Sequence, residues 1–177
     1  MNFFDIDLEI LKFINQPFVP TFNFAFILTI FSVYGYLAFL LFYFFRTKQK
    51  DKMFRILIIS VVGILLVNAI KFSVNRPRPS AAIEGVNQIL IKSDPSFPSS
   101  HTFIAILCAF FTPKSFSRFL RILLNFYLVI LIPIGLVYIG VHYPSDVLVG
   151  GLLAFLIVKF FNEKRANSIK SSLKLKF

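Results

Sequence analysis

The sequence predicts an all-α fold: a polytopic membrane bundle of about five transmembrane helices plus a short N-terminal interfacial helix. Three observations lead there. Hydrophobic residues make up 57% of the 177 and charged residues only 15%, whereas a soluble domain carries about a quarter charged. The apolar residues fall into long blocks, as a bilayer demands. The basic residues cluster between those blocks, the ordinary pattern of loops kept on the cytoplasmic side. A net charge of +11 would point to nucleic acid in a soluble chain; placed between apolar spans it points to a membrane, and no nucleic-acid partner is expected. The chain reads as a single membrane domain over residues 1–177, with an interfacial segment at 1–20, a bundle at 22–161 and a basic cytoplasmic tail at 162–177.

The elements follow in order. Phe3 to Ile14 alternates apolar and acidic residues, which suits a helix lying in the membrane interface, and Pro17 and Pro20 then break the chain. That opening carries Asp5, Asp7 and Glu9 and no basic leader, so no cleavable signal peptide is expected. Phe22 to Phe45 is uncharged and makes the first span. Phe54 to Ile70 makes the second, closed by Lys71. A third apolar stretch starts after His101 and reaches Phe111; a crossing needs ~20 residues, so this one must borrow from its flanks. Ile122 to Val141, interrupted only by Pro133, is the fourth, and the fifth runs from near Asp146 to Phe161. The single cysteine, Cys108, lies in the third stretch, where it reads as a small buried hydrophobe.

Counting basic residues gives the orientation. With five crossings, the segments Arg46 to Arg55, Thr112 to Arg121 and the C-terminal stretch share one side and hold 14 of the 19 Lys and Arg. That side is expected to be cytoplasmic, with the N-terminus outside and the C-terminus inside, in a bacterial inner membrane. Four of the remaining basic residues, Lys71, Arg76, Arg78 and Lys92, fall in one outer loop. Retention signals are avoided there, and a bound anion is the simplest reason for them.

Three short segments fall on that outer face: KFSVNRPRP (Lys71 to Pro79), PSSH (Pro98 to His101) and HYPSD (His142 to Asp146). Lys71 and a proline-stiffened Arg78 offer a point charge and a planar fork of donors, which suit phosphate oxygens. Pro98 is expected in the first turn of the third helix, leaving the amides of Ser99, Ser100 and His101 facing outward as an anion site. Pro144 likewise marks a helix start, with Asp146 in its first turn, four residues past His142. The carboxylate can accept from one imidazole nitrogen and leave the other to attack. Headgroup binding by Arg76 and Arg78 without catalysis is the plainer alternative. Zinc held by the two His with Asp94 and Asp146 is disfavoured, because the His142–Asp146 spacing begins outside a helix and no third ligand is evident. No metal and no cofactor are expected.

The three segments resemble the signature of the type 2 phosphatidic acid phosphatase superfamily: K-x6-RP, then PSGH, then SR-x5-H-x3-D. The likeness spans Lys71 to Asp146, and the VLVGG that follows is also similar. It implies a helical-bundle phosphatase acting, without a metal, at the outer membrane–water boundary. By residue it implies that His142 is the nucleophile, forming a phosphohistidine, that Asp146 orients it, and that His101 is the general acid. Lys71, Arg78, Ser99 and the Ser100 amide would hold the phosphate. Two departures stand out. Ser100 replaces the usual Gly, and Gly135-Leu136 replaces Ser-Arg, so a phosphate-binding Arg is missing. Arg118 and Arg121 are expected on the wrong side to replace it, which leaves Arg76 and Lys92.

The implied substrate is a lipid-linked phosphate in the surrounding membrane, with lipid A 1-phosphate or a prenyl diphosphate ahead of phosphatidylglycerol phosphate and phosphatidate. A non-catalytic lipid-phosphate binder or transport component, and a lipid-to-lipid phosphotransferase, are the competing readings. Oligomeric state is not legible in the sequence.

Overall fold

The computed structural model describes residues 3–16, 20–87, 90, 92–161 and 172, with the backbone alone at residues 3 and 20–30. Helices are the regular secondary structure of the described residues, which include no strand. Helix α1 spans Phe3–Ile14, α2 Pro20–Arg46, α3 Lys50–Val74, α4 Pro79–Ala82, α5 Ser100–Phe111, α6 Arg118–Phe126, α7 Ile132–Tyr138 and α8 Pro144–Phe160. The predicted tail at 162–177 lies outside the described residues apart from Ser172.

Four of the five predicted spans coincide with α2, α3, α5 and α8. The fourth differs in detail. A π-helical turn, Tyr127–Leu131, joins α6 to α7. Pro133 is the physical reason: it has no N–H to donate and its ring crowds the carbonyl four residues back, so the turn before it widens. By length and composition two described stretches are long and apolar enough to cross a bilayer, Lys50–Ala82 and Arg118–Tyr138, while Phe31–Arg46 and Ser100–Phe111 are shorter apolar helices.

The short third stretch sits at the centre. Helix α5 buries Phe103, Ile104, Ala105, Leu107 and Cys108 completely and packs against α2, α3 and α8. The outside of the bundle is the reverse of a soluble surface: Phe31, Phe42, Leu65, Phe72, Phe119, Leu148 and Phe160 are all exposed. So wide an apolar exterior fits a membrane-associated protein.

Helices α3 and α8 run antiparallel, and each end is tied. At one end Arg55 donates from Nε to the carbonyl of Phe161 and from Nη2 to that of Val158, meeting the orphan carbonyls of the last turn of α8. At the other end α5 and α8 come together at their N-termini through the Ser99 amide, which donates to the Asp146 carbonyl at 3.0 Å. Gly150 makes this approach possible, because a Cβ there would lie 2.5 Å from the Ser99 carbonyl oxygen. Gly151, by contrast, would bring a Cβ only to ordinary contact, 3.6 Å from Ile106. Gly150→Ala is therefore expected to lower stability by ~1–3 kcal/mol through overpacking against backbone, while Gly151→Ala stays close to wild type. Thermal melts of the two variants in detergent check the difference.

Candidate active site

The three signature segments converge at the end of the bundle where α3 finishes and α5 and α8 begin. Helix α3 carries Lys71 in its last turn and stops at Asn75, whose left-handed conformation (φ 48°) turns the chain back. Proline then fixes the next residues. Arg78 is the extended residue that caps α4, with Pro79 in its first turn. Both cations are buried, each 3% exposed. Lys71 Nζ donates to the Pro95 carbonyl at 2.6 Å and pairs with Asp94 Oδ2 at 3.1 Å. Arg78 donates from Nη2 to Asp94 Oδ1 and from Nε to the Asp94 carbonyl, both at 2.8 Å, and from Nη1 to the Val141 carbonyl at 2.6 Å. The last bond ties the first segment to the residue just before the third.

His142 is in the turn before α8 and is 1% exposed. Its Nδ1 lies 3.4 Å from Asp146 Oδ2 and its Nε2 lies 3.4 Å from Arg78 Nη1. A carboxylate only accepts and a guanidinium only donates, so the two partners together specify the tautomer: the proton is on Nδ1 and the lone pair on Nε2. Burial, above all, pushes the His142 imidazole down to about 4, against the upward pull of Asp146 and with the help of Arg78. The ring is therefore neutral at pH 7. Asp146, fully buried in the first turn of α8, also accepts from the Tyr143 amide at 2.9 Å.

The second segment differs from expectation. Helix α5 begins at Ser100 with Ser99 as its N-cap, so Pro98 precedes the helix instead of opening it. The Ser99 hydroxyl accepts from the Thr102 amide at 3.3 Å and from the Thr102 hydroxyl at 3.1 Å. Its amide is given to Asp146, so Ser99 caps α5 and joins it to α8. The first-turn amides of Ser100 and His101 have no acceptor inside the helix, as at any helix start. The His101 ring meets Tyr34 edge-on at 5.1 Å between centroids, and its electrostatic neighbours are Lys92, His142, Arg78 and Lys71.

The two candidates for a replacement cation separate clearly. Arg76 is committed elsewhere. It donates from Nη1 to Asp146 Oδ1 at 2.8 Å and to Ser145 Oγ at 2.7 Å, donates from Nη2 to Asp7 Oδ2 at 2.8 Å, and lies 3.6 Å from the centre of the Tyr143 ring. It holds the carboxylate that holds His142, and it is not turned toward the cations of the cradle. Lys92 is in the same loop as Asp94, and burial and then Arg78 push its ammonium below the usual range. Leu136 is wholly buried in the hydrophobic core.

Sequence reasoning missed Asp7, Ser145 and the pairing role of Asp94. Asp7 accepts from the Ser145 amide at 2.8 Å and from the Ser145 hydroxyl at 2.6 Å. Helix α1 thus does more than lie in the interface. Its Leu11 is fully buried, and Asn15, just past its end, bonds the carbonyls of Tyr138 and Asn87. The signal that could have found Asp7 is its place on the same helical face as Leu11, four residues on. Among the described residues no three His, Cys, Asp or Glu side chains converge as metal ligands.

Such a site, on a helical bundle with an apolar exterior, defines a class of protein: a membrane-associated fold with a histidine–carboxylate pair beside an anion cradle. Residues 52–170 match the family model described as the PAP2 superfamily, and the chain belongs to that superfamily. It is 32% identical over 133 residues to phosphatidylglycerophosphatase B of Bacillus subtilis strain 168, an alignment covering 68% of this chain and 63% of that relative. Among solved structures, Aquifex aeolicus LpxE superposes with a TM-score of 0.78 at 27% identity, covering 88% of this chain and 94% of the other. A transmembrane PAP2-type phosphatidylglycerolphosphate phosphatase from Bacillus subtilis superposes with a TM-score of 0.68 at 27% identity, covering 90% and 86%.

Proposed function

We propose that the protein is an integral membrane phosphatase that removes a terminal phosphate from a lipid phosphate or diphosphate through a phosphohistidine on His142. The observation that carries this is the orientation of His142: Asp146 on Nδ1 leaves the Nε2 lone pair directed at Arg78, where a phosphoryl group bound to the cations would sit. Attack by Nε2 on phosphorus breaks the bond to the lipid oxygen, His101 protonates that oxygen, and water then releases phosphate from His142. Lys71, Arg78 and the first-turn amides of Ser100 and His101 stabilise the charge on the transferring oxygens. No metal is needed in this scheme. Five crossings, with this end on the outer (periplasmic) face of a bacterial inner membrane and the C-terminus in the cytoplasm, agree with the distribution of basic residues.

The substrate order is lipid A 1-phosphate or a prenyl diphosphate first. The likeness to LpxE extends over nearly the whole of both chains. The curated phosphatidylglycerophosphatase relative is matched over 63% of its length, and phosphatidylglycerol phosphate is the second choice. Phosphate release by the purified protein in detergent, measured on these three lipids and on phosphatidate, tests the reading. Release is expected from at least one of the four. Release from none would favour the non-catalytic binder that the buried Leu136 suggests, and release seen only when an alcohol acceptor is added would favour a phosphotransferase.

A further inference from the structure

The two cations of the cradle already hold an anion, and it is a side chain of this protein. Asp94 places one carboxylate oxygen on Lys71 Nζ at 3.1 Å and the other on Arg78 Nη2 at 2.8 Å. Lys71 and Arg78 are each 3% exposed, while the Asp94 side chain is 48% exposed. The carboxylate therefore stands between the buried cations and the outside. Its two oxygens are spaced across the cations much as two oxygens of a phosphoryl group would be.

The loop is held independently of that carboxylate. Arg78 Nε bonds the Asp94 carbonyl, Lys71 bonds the Pro95 carbonyl, and the Ser96 amide donates to the Arg76 carbonyl at 2.8 Å. A change of side-chain rotamer at Asp94 can vacate the seat while these backbone contacts stay. The carboxylate is also charged at neutral pH: although its partial burial acts to raise it, Arg78 and Lys71 hold it at about 2.

We propose that Asp94 is a placeholder anion in the phosphate seat, displaced by a dianionic terminal phosphate, of a monoester or a diphosphate, and not by the monoanionic phosphodiesters of the surrounding lipid. The inference rests on the phosphatase reading of the cradle and adds the residue that sets its selectivity by charge. Lys71 and Arg78 carry two positive charges, of which Asp94 balances one. A phosphodiester that takes the seat exchanges one single negative charge for another and gains no Coulomb attraction. It also competes with a ligand tethered beside the site, whose effective concentration is roughly millimolar. A monoester dianion brings a second negative charge to the same two cations and gains the attraction that Asp94 leaves unused. An enzyme embedded in phosphodiester lipid needs such a distinction, because nearly every headgroup that reaches its mouth is a diester.

The test uses Asp94→Asn, with Asp94→Ala as a second variant that removes the amide as well, each shown to be folded by its melting curve in detergent. Binding of inorganic phosphate is measured by calorimetry. Hydrolysis of the preferred lipid of the four is measured in mixed micelles with rising phosphatidylmethanol, a monoanionic phosphodiester that is not a product of any of them. The expected result is phosphate binding at least ~10-fold tighter in both variants, with phosphatidylmethanol becoming a competitive inhibitor that it is not for the wild type. Unchanged or weaker phosphate binding in the folded variants, or equal indifference of variants and wild type to phosphatidylmethanol, overturns the proposal and makes Asp94 a fixed support for Lys71 and Arg78. Tighter phosphate binding in a protein that hydrolyses none of the four lipids keeps the placeholder and removes the phosphatase reading. Lipid hydrolysis by the wild type, with weaker phosphate binding in the variants, does the reverse.

Discussion

His142→Ala is expected to reduce phosphate release by on the order of 10^4-fold or more, as removal of a covalent nucleophile does, while leaving binding of inorganic phosphate within a few fold. The imidazole is a neutral nitrogen base beside the cradle, and its Nε2 faces Arg78 at 3.4 Å. Loss of the ring removes the atom that bonds to phosphorus but leaves Lys71 and Arg78 in place. Rapid quenching of the wild type with a labelled lipid should trap an acid-labile, base-stable phosphoenzyme that is missing from the variant. A residual rate within tenfold of wild type would show that water attacks directly and that His142 only orients it. The same residue fixes the acid side of the pH profile. With its imidazole pushed down to about 4 by burial, His142 keeps its lone pair until the pH falls through that value, and protonation then removes it. The wild-type kcat/KM, corrected for the second ionisation of the lipid phosphate near ~6, should therefore decline only below about pH 4.

The residues that were legible in the sequence are those whose role depends on short spacing. His142 and Asp146 are four apart across a helix start, and Lys71 and Arg78 are seven apart across a proline-stiffened turn, so local geometry brings each pair together. Span counting then put the segments on one face, and the helices place them at one end. What the sequence hid depends on contacts between distant parts of the chain. Asp7 meets Ser145 across 138 positions, and although it shares a helical face with the buried Leu11, nothing in α1 tells what that face packs against. Asp94 reads as a loop acid until Lys71 and Arg78 are seen on both its oxygens. Ser99 matches a signature segment, and what the sequence hid is that its hydroxyl oxygen also caps α5 and its amide is given to α8. Leu136 shows the opposite relation. The missing cation was plain in the sequence, and the structure shows apolar packing at that position.

Arg76→Met should be damaging for a different reason, and its effect separates positioning from folding. Arg76 is the cation between two buried carboxylates, Asp7 at 4% exposure and Asp146 at 0%. Removing it leaves both acids uncompensated, and breaking a buried ion pair from one side costs ~3–5 kcal/mol. Asp146 would then move or take up a proton, and either change releases Nδ1 of His142, so kcat should fall by ~10^2-fold or more with KM changed little. Because instability alone could lower activity, the informative protein is the double variant Arg76→Met with Asp7→Asn. It restores the net charge of the cluster, which counts one cation and two acids in the wild type and one acid in the double variant. Its melting temperature in detergent should recover a substantial part of the loss. Asp146 Oδ1 still lacks its guanidinium donor in that protein, so kcat should stay low. Recovery of both together would mean that Arg76 acts only as a counter-ion, and that the capping bond from the Tyr143 amide suffices to aim Asp146 at His142.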